Sequence, residues 1–282
     1  MVTAVKEEIQ WALDVFNDNG IEAELHNAGI VISKYSQPKG KTFEELGINE
    51  DELIKNVIAC RGCFDTRKSK LTTFPLVAAQ EIRLHKDTNI TQMPNLKVAG
   101  VIVCNKTLKK LPKLKTIISI NMDESPIKSL PKLKEAGIII AQNSKLESME
   151  NLEKIEKLCV IDCPLENLSS LKIAKDVFLC SSNEENKLEI HSLNELEEVD
   201  NLFVANSNLK TIPKLKKAGK IALFNSKIKS IKKSLKAEAE IETKITDEEL
   251  SQKFDNFTDW YNSDVLNSSM NMLGDVVKHI KS

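Results

Sequence analysis

Ile212-Pro213-Lys214-Leu215-Lys216-Lys217-Ala218-Gly219 recurs, nearly letter for letter, as Leu130-Pro131-Lys132-Leu133-Lys134-Glu135-Ala136-Gly137. Leu111-Pro112-Lys113-Leu114-Lys115 and Met93-Pro94-Asn95-Leu96 with Ala99-Gly100 are looser copies. Outward from these, an aliphatic or aromatic anchor followed by Pro or its equivalent falls at Phe74, Met93, Leu111, Leu130, Met149, Leu168, Leu193, Ile212 and Ile231, in steps of 19, 18, 19, 19, 19, 25, 19 and 19 residues. Self-similarity at a short fixed period marks a solenoid, whose units cannot bury an apolar side alone and therefore stack. The long step is taken up by the polar stretch Ser182-Asn183-Glu184-Glu185-Asn186, which is expected to loop out.

A short apolar run precedes each anchor, as in Val101-Ile102-Val103-Cys104, Ile138-Ile139-Ile140-Ala141, Leu158-Cys159-Val160-Ile161, Val177-Phe178-Leu179-Cys180, Leu202-Phe203-Val204-Ala205 and Ile221-Ala222-Leu223-Phe224. Four-residue runs at this spacing predict short strands stacked in one parallel sheet. The unit at Leu202, Val204, Ser207, Leu209, Ile212, Pro213 and Leu215 resembles the leucine-rich repeat family, with leucines around an Asn or Cys and a following Leu-Pro. The resemblance covers roughly residues 58–239. It implies an α/β solenoid with the sheet on a concave side and is unspecific for function; the strand side chains are what point to non-catalytic protein binding there. Cys163 holds the family's Asn/Cys position in one unit, and Ser144, Ser207 and Ser226 depart from it in others. The Pro-interrupted connections predict extended or single-turn 3₁₀ structure rather than long helices.

Three regions follow: an N-terminal cap over 1–57, the solenoid over 58–239 and a C-terminal helical cap over 240–282. Val5, Ile9, Leu13 and Phe16 predict a helix over 3–18, closed by Asn19-Gly20. Residues 21–25 and 30–33 predict a hairpin, and the capping-box patterns Thr42-x-x-Glu45 and Asn49-x-x-Glu52 predict two short helices. At the other end, Thr246-x-x-Glu249 opens a helix with Leu250, Phe254, Phe257 and Tyr261 on one side, and a last helix carries Val265, Met272, Val276 and Ile280.

Lys and Arg number 40 against 41 Asp and Glu, a net charge of −1, which argues against a surface committed to nucleic acid or membrane. The early and last repeats are rich in lysine and the middle in glutamate, which reads as a solvated face; arginine and stacking aromatics for nucleic acid are scarce. No apolar stretch reaches the ~20 residues of a membrane span, and the first residues do not read as a signal peptide. A cytoplasmic protein with six free thiols is the expectation.

Strand side chains alternate. With Leu202 and Val204 inward, Phe203 and Ala205 face the concave side, and the same reading places Ile102 with Cys104, Cys159 with Ile161, Phe178 with Cys180, and Ala222 with Phe224 there, together with Ile139. A solvent-facing sheet should alternate apolar with polar; these runs do not. The candidate protein-binding residues are Ile102, Cys104, Ile139, Ile161, Phe178, Cys180, Phe203 and Phe224, with Asn206 and Asn225 as a polar rim. The occupant is left open among an unidentified protein, the C-terminal helices of the same chain, and a second copy in a homodimer.

Cys60-Arg61-Gly62-Cys63 is the single Cys-x-x-Cys, short of the four ligands of a structural zinc site. Zinc or thiol chemistry there is the enzymatic alternative. His26, His85, His191 and His279 lie far apart and no Gly-rich phosphate loop is present, so neither an enzyme nor a cofactor is expected.

Overall fold

The computed structural model of the chain describes residues 2–26, 29–182, 187–228 and 240–242. Helix α1 (Val2–Asp18) leads into an antiparallel hairpin, β1 (Ala23–His26) and β2 (Gly29–Ile32). A 3₁₀ turn (Glu44–Leu46) and helix α2 (Glu50–Ile54) follow. Then come β3 (Val57–Asp65), β4 (Ala78–Arg83), β5 (Val98–Val103), β6 (Thr116–Asn121), β7 (Glu135–Gln142), β8 (Lys154–Ile161), β9 (Ile173–Cys180), β10 (Glu198–Ser207), β11 (Lys217–Ser226) and β12 (Glu240–Glu242). All twelve strands form one sheet in chain order, parallel from β2 onward. The chain is thus a solenoid with coils of about 19 residues. It is mostly β, with no helix between β3 and β12 among the described residues.

The repeat explains itself as columns of side chains. Phe64, Ile82, Ile102, Ile120, Ile139, Leu158, Val177, Leu202 and Ile221 stack through successive strands into the core. The anchors Phe74, Met93, Leu111, Leu130, Met149, Leu168 and Leu193 form a second buried column, and Leu114, Leu133, Leu152, Leu171, Leu196 and Leu215, three residues on in each coil, form a third. No coil could keep these residues dry alone, so each supplies half of its neighbour's core.

One irregularity governs which way side chains face. In every strand from β5 to β11 the pairing skips one residue: Gly100, Ile118, Gly137, Glu156, Lys175, Asp200 or Gly219. This kink resets the alternation, so that Ala136 and Ile139, three residues apart, both enter the core. At three of the kinks the backbones approach closely. A Cβ on Gly137 would lie 2.5 Å from the Ile118 carbonyl oxygen, and one on Gly219 would lie 2.6 Å from that of Asp200. The repeated Ala-Gly of the sequence supplies a small core residue followed by the contact point.

After the strand, a turn drops the chain back toward the core. Glu124, Asn143, Asp162, Asn206 and Asn225 occupy this turn at positive φ, between 44° and 54°. Asn and Asp tolerate that region better than other side chains. Next comes the position of Ser125, Ser144, Cys163 and Ser207. The hydroxyls of Ser125, Ser144 and Ser207 accept the backbone N–H two residues later at 3.3–3.4 Å, and Cys163 Sγ donates to the Ala141 and Ile161 carbonyls at 3.2 Å. One coil carries the longer Asn105, which accepts from Thr107 N and Leu108 N and donates to His85 O of the preceding coil. Short and long side chains thus do the same work of satisfying turn backbone.

The first coils are closed by the N-terminal elements. Thr42 and Glu45 exchange the two bonds of a capping box, and Asn49 caps α2 by accepting from Asp51 N and Glu52 N. Buried Glu50 accepts from Ser69 Oγ at 2.6 Å and Lys70 N at 2.8 Å, tying α2 to the first coil. The two C-terminal helices expected over 240–282, the Ile231 anchor, and residues 183–186 of the insertion lie outside the described residues; Glu240–Glu242 instead adds strand β12.

Candidate functional site

The sheet has two sides, and apolar residues line both. The first side is the solenoid core. On the other side, Ile138, Ile140, Cys159, Ile161, Phe178, Cys180, Phe203, Ala205 and Ala222 form a separate apolar cluster, with Phe224 packed at its edge. Strand pairing puts them in two rows: Ile140, Cys159, Phe178, Phe203 and Ala222 in one, and Ile161, Cys180, Ala205 and Phe224 in the next. The rings of Phe178 and Phe203 stack at 4.4 Å with 7° between their planes.

Seven of the candidate residues fall in this region and three do not. Ile161, Phe178, Cys180, Phe203 and Phe224 belong to the outer cluster. Asn206 and Asn225 border it at the positive-φ turn, where Asn225 Nδ2 donates to Asn206 Oδ1 at 2.9 Å and Asn206 Nδ2 donates to Ser181 O at 2.8 Å. Ile102 and Ile139, by contrast, are fully buried in the core, and Cys104 packs against it from the same side. The cause is a slip of one position. The runs at Val101 and Ile138 begin just after the kink, whereas the run at Leu202 begins one residue later, so equating first residues inverts the faces. The outward residues of these strands are Val101 and Val103 in β5 and Ile138 and Ile140 in β7. Ile138 and Ile140 are thus members that the sequence reading missed. The signal was present in the spacing, because Ile120, Ile139, Leu158 and Leu202 each lie ten residues before their anchor.

The cluster is confined to the later strands. On β4 the outer side carries Glu81 and Arg83, paired at 2.5 Å, and on β6 it carries Ser119 and Asn121. From β8 to β11 the row at the kinked end is polar: Lys157, Asp176, Asn201 and Lys220, with Asn201 donating to Asp176 at 2.7 Å. At the turn end, Asp162 accepts from Ser181 Oγ, Ser182 N and Ser182 Oγ at 2.7–3.1 Å. The apolar strip is thus bordered on both sides by polar groups.

Its thiols are not poised for nucleophilic chemistry. Burial, with the Asp162 carboxylate adding to it, pushes the Cys180 thiol up to about 12. Burial likewise raises Cys159. Such thiols stay protonated at neutral pH, whereas a reactive cysteine needs a depressed value. The Cys-x-x-Cys pair is split by the kink of β3: Cys60 enters the core, while Cys63 aligns with Glu81 on the outer side. Burial raises Cys60 to about 12 and Cys63 to about 11. Among the described residues, no group of three or more His, Cys, Asp or Glu side chains could hold a metal ion, and no helix is long and apolar enough to cross a membrane.

Many surface charges pair between neighbouring coils. Lys128 meets Glu147 at 2.6 Å, Lys172 meets Glu153 at 2.9 Å, Lys214 meets Glu195 at 2.7 Å and Lys216 meets Glu197 at 2.6 Å. Lysines and glutamates at equivalent repeat positions thus compensate one another rather than present a field of one sign.

In comparisons with known proteins, no family model, no curated protein and no solved structure matches the chain.

Proposed function

We propose that this chain is a non-catalytic binding protein of the leucine-rich-repeat kind, which takes a protein partner on the outer apolar face of β7–β11. The observation that carries the reading is a second apolar cluster on the side of the sheet that the solenoid does not need for its own core. Folding alone requires only the inward columns, and a solvent-facing sheet side is ordinarily polar, as it is on β4 and β6. Aromatic side chains are the usual anchors of protein interfaces, and the stacked Phe178–Phe203 pair lies at the centre of the strip. The leucine-rich-repeat reading is supported by the coil length of about 19 residues, the stacked leucines and the Asn, Ser or Cys position that satisfies each turn.

A photo-crosslinking phenylalanine analogue at position 203, introduced in cells that make the protein, tests this. A discrete adduct with one other protein, lost when Phe178→Asp is added, is the expected result. Adducts confined to the chain itself, or to a second copy, would contradict it.

A further inference from the structure

Many lysines of the coils find a glutamate one coil away, and backbone bonds beside several anchors lace neighbouring coils together. Both patterns are broken at the seam between the coil of Leu111 and the coil of Leu130. On the seam before it, Lys109 N donates to Thr91 O at 2.7 Å and Met93 N to Lys110 O at 3.1 Å. On the seam after it, Glu147 N donates to Lys128 O at 2.8 Å and Leu130 N to Ser148 O at 3.2 Å. The corresponding bonds in between, from Lys128 N to Lys109 O and from Leu111 N to Ser129 O, are not made among the described residues. Leu111 is 1% exposed. Its N–H therefore has neither a protein acceptor nor much water, a combination uncommon for a backbone amide.

The sequence explains the gap. Lys145 N donates to Ser125 O at 3.0 Å across the following seam. The same position one coil earlier is Pro126, which has no N–H to give. The opening left there is a cleft of about 530 Å³, within the roughly 300–1,000 Å³ of small-molecule sites. Buried Leu111 and the half-buried rings of Pro112, Pro126 and Pro131 make its floor apolar. Exposed Lys109, Lys110, Lys128 and Lys145 surround it, and no carboxylate is in its lining. Lys128 has Glu147 as its partner. Lys109, Lys110 and Lys145 have no acidic partner among the described residues.

We infer that this cleft binds a small organic anion, with an apolar body against the prolines and a carboxylate or phosphate head among the unpaired lysines. Cations that converge on an apolar cleft, with no carboxylate to compete, favour an anion there. The Leu111 N–H offers the head a further donor. Lysine is a point charge without arginine's fork, so it accepts either head. The site is separate from the outer face. Its residues all lie in the connections between β5 and β8, so a ligand here leaves the Phe178–Phe203 strip untouched.

Isothermal titration calorimetry of the full-length chain tests this, with octanoate and octyl phosphate as the anions and octanol as the neutral body, all below their micellar range. Saturable binding of at least one anion is expected, and the tighter of the two identifies the head. Octanol should bind at least roughly tenfold more weakly, the scale of a lost charge-assisted contact. Lys110→Glu/Lys145→Glu should lose roughly tenfold or more in affinity, whereas Lys110→Arg/Lys145→Arg keeps the wild-type value. Both side chains are exposed, so these changes leave the fold in place. Phe224→Ala, a mild change at the edge of the outer cluster, should have no effect. No saturable binding of either anion would overturn the inference, as would octanol binding as tightly as the anions. Wild-type affinity in Lys110→Glu/Lys145→Glu would also overturn it, and a loss in Phe224→Ala instead would move the anion to the outer face.

Discussion

Ile102 and Phe203 show how much one residue of phase decides. Both lie in short apolar runs before an anchor, and alternation alone treats them alike. Only Phe203 faces outward, because the kink before each run resets the count. The inward columns were legible from the anchor spacing. The facing of the 138–141 run was legible in the same spacing, with Ile139 ten residues before Met149, but that of the 101–104 run was not, because Ile102 lies nine residues before Leu111. Ile139→Ala should therefore behave as a core deletion and cost about 2–5 kcal/mol, measured by urea unfolding. A near-neutral effect would restore Ile139 to the outer face. Asn206, at a φ of 47°, supplies a second check at this scale. Asn206→Ala should cost about 1–2 kcal/mol from the left-handed conformation alone. Asn206→Gly removes that strain and should be the milder change, though it still loses the bond to Ser181 O. The reverse ranking would show that left-handed strain does not govern this turn.

At the level of the strand, the kink is the device that lets a single sheet present a long inward column and a confined outward patch. Its close approach explains the repeated Ala-Gly. Gly137→Ala would set a methyl 2.5 Å from the Ile118 carbonyl, against backbone rather than a yielding side chain. The expected loss is about 1–3 kcal/mol, read from the shift in urea midpoint, and a variant as stable as the wild type would mean that the kink relaxes freely. The hairpin, the capped turns and the registers of β6–β9 and of β10–β11 were all readable from local signals: paired apolar runs, Thr42-x-x-Glu45, and strict 19-residue steps. Strand β12 was not, since Glu240-Ile241-Glu242 carries too few residues to show a period.

Across the whole molecule, the described thiols share one property. Burial raises Cys60 and Cys180 to about 12 and Cys63 to about 11, and raises Cys104, Cys159 and Cys163 as well. An unfolded thiol ionises near 8.5. Below that pH both states hold the proton and the burial contributes in full. As pH rises from about 8.5 toward 12 the unfolded chain loses its protons first, so stability falls. Thermal melting between pH 8 and 11 should show this decline, and Cys180→Ala should make it shallower; a slope unchanged by that substitution would mean that Cys180 titrates normally in the fold. The outer side is charged on β4 and apolar from β7, so the later strands carry an apolar side beyond the one the core uses. The sequence showed the apolar strip, but not how little of Phe178 and Phe203 is exposed, because fractional burial leaves no periodic trace.

The most direct measurement compares two neighbours on β10: Leu202→Asp and Phe203→Asp in the full-length chain, each followed by circular dichroism and cooperative urea unfolding. Leu202 is in the core and Phe203 on the outer face, both nearly fully buried. If the outer face serves recognition, Leu202→Asp abolishes the fold, while Phe203→Asp keeps the strand spectrum and a cooperative transition and no longer co-purifies with the protein crosslinked from position 203. Equal collapse of both variants would make the outer cluster a second structural core and contradict its role as a binding surface.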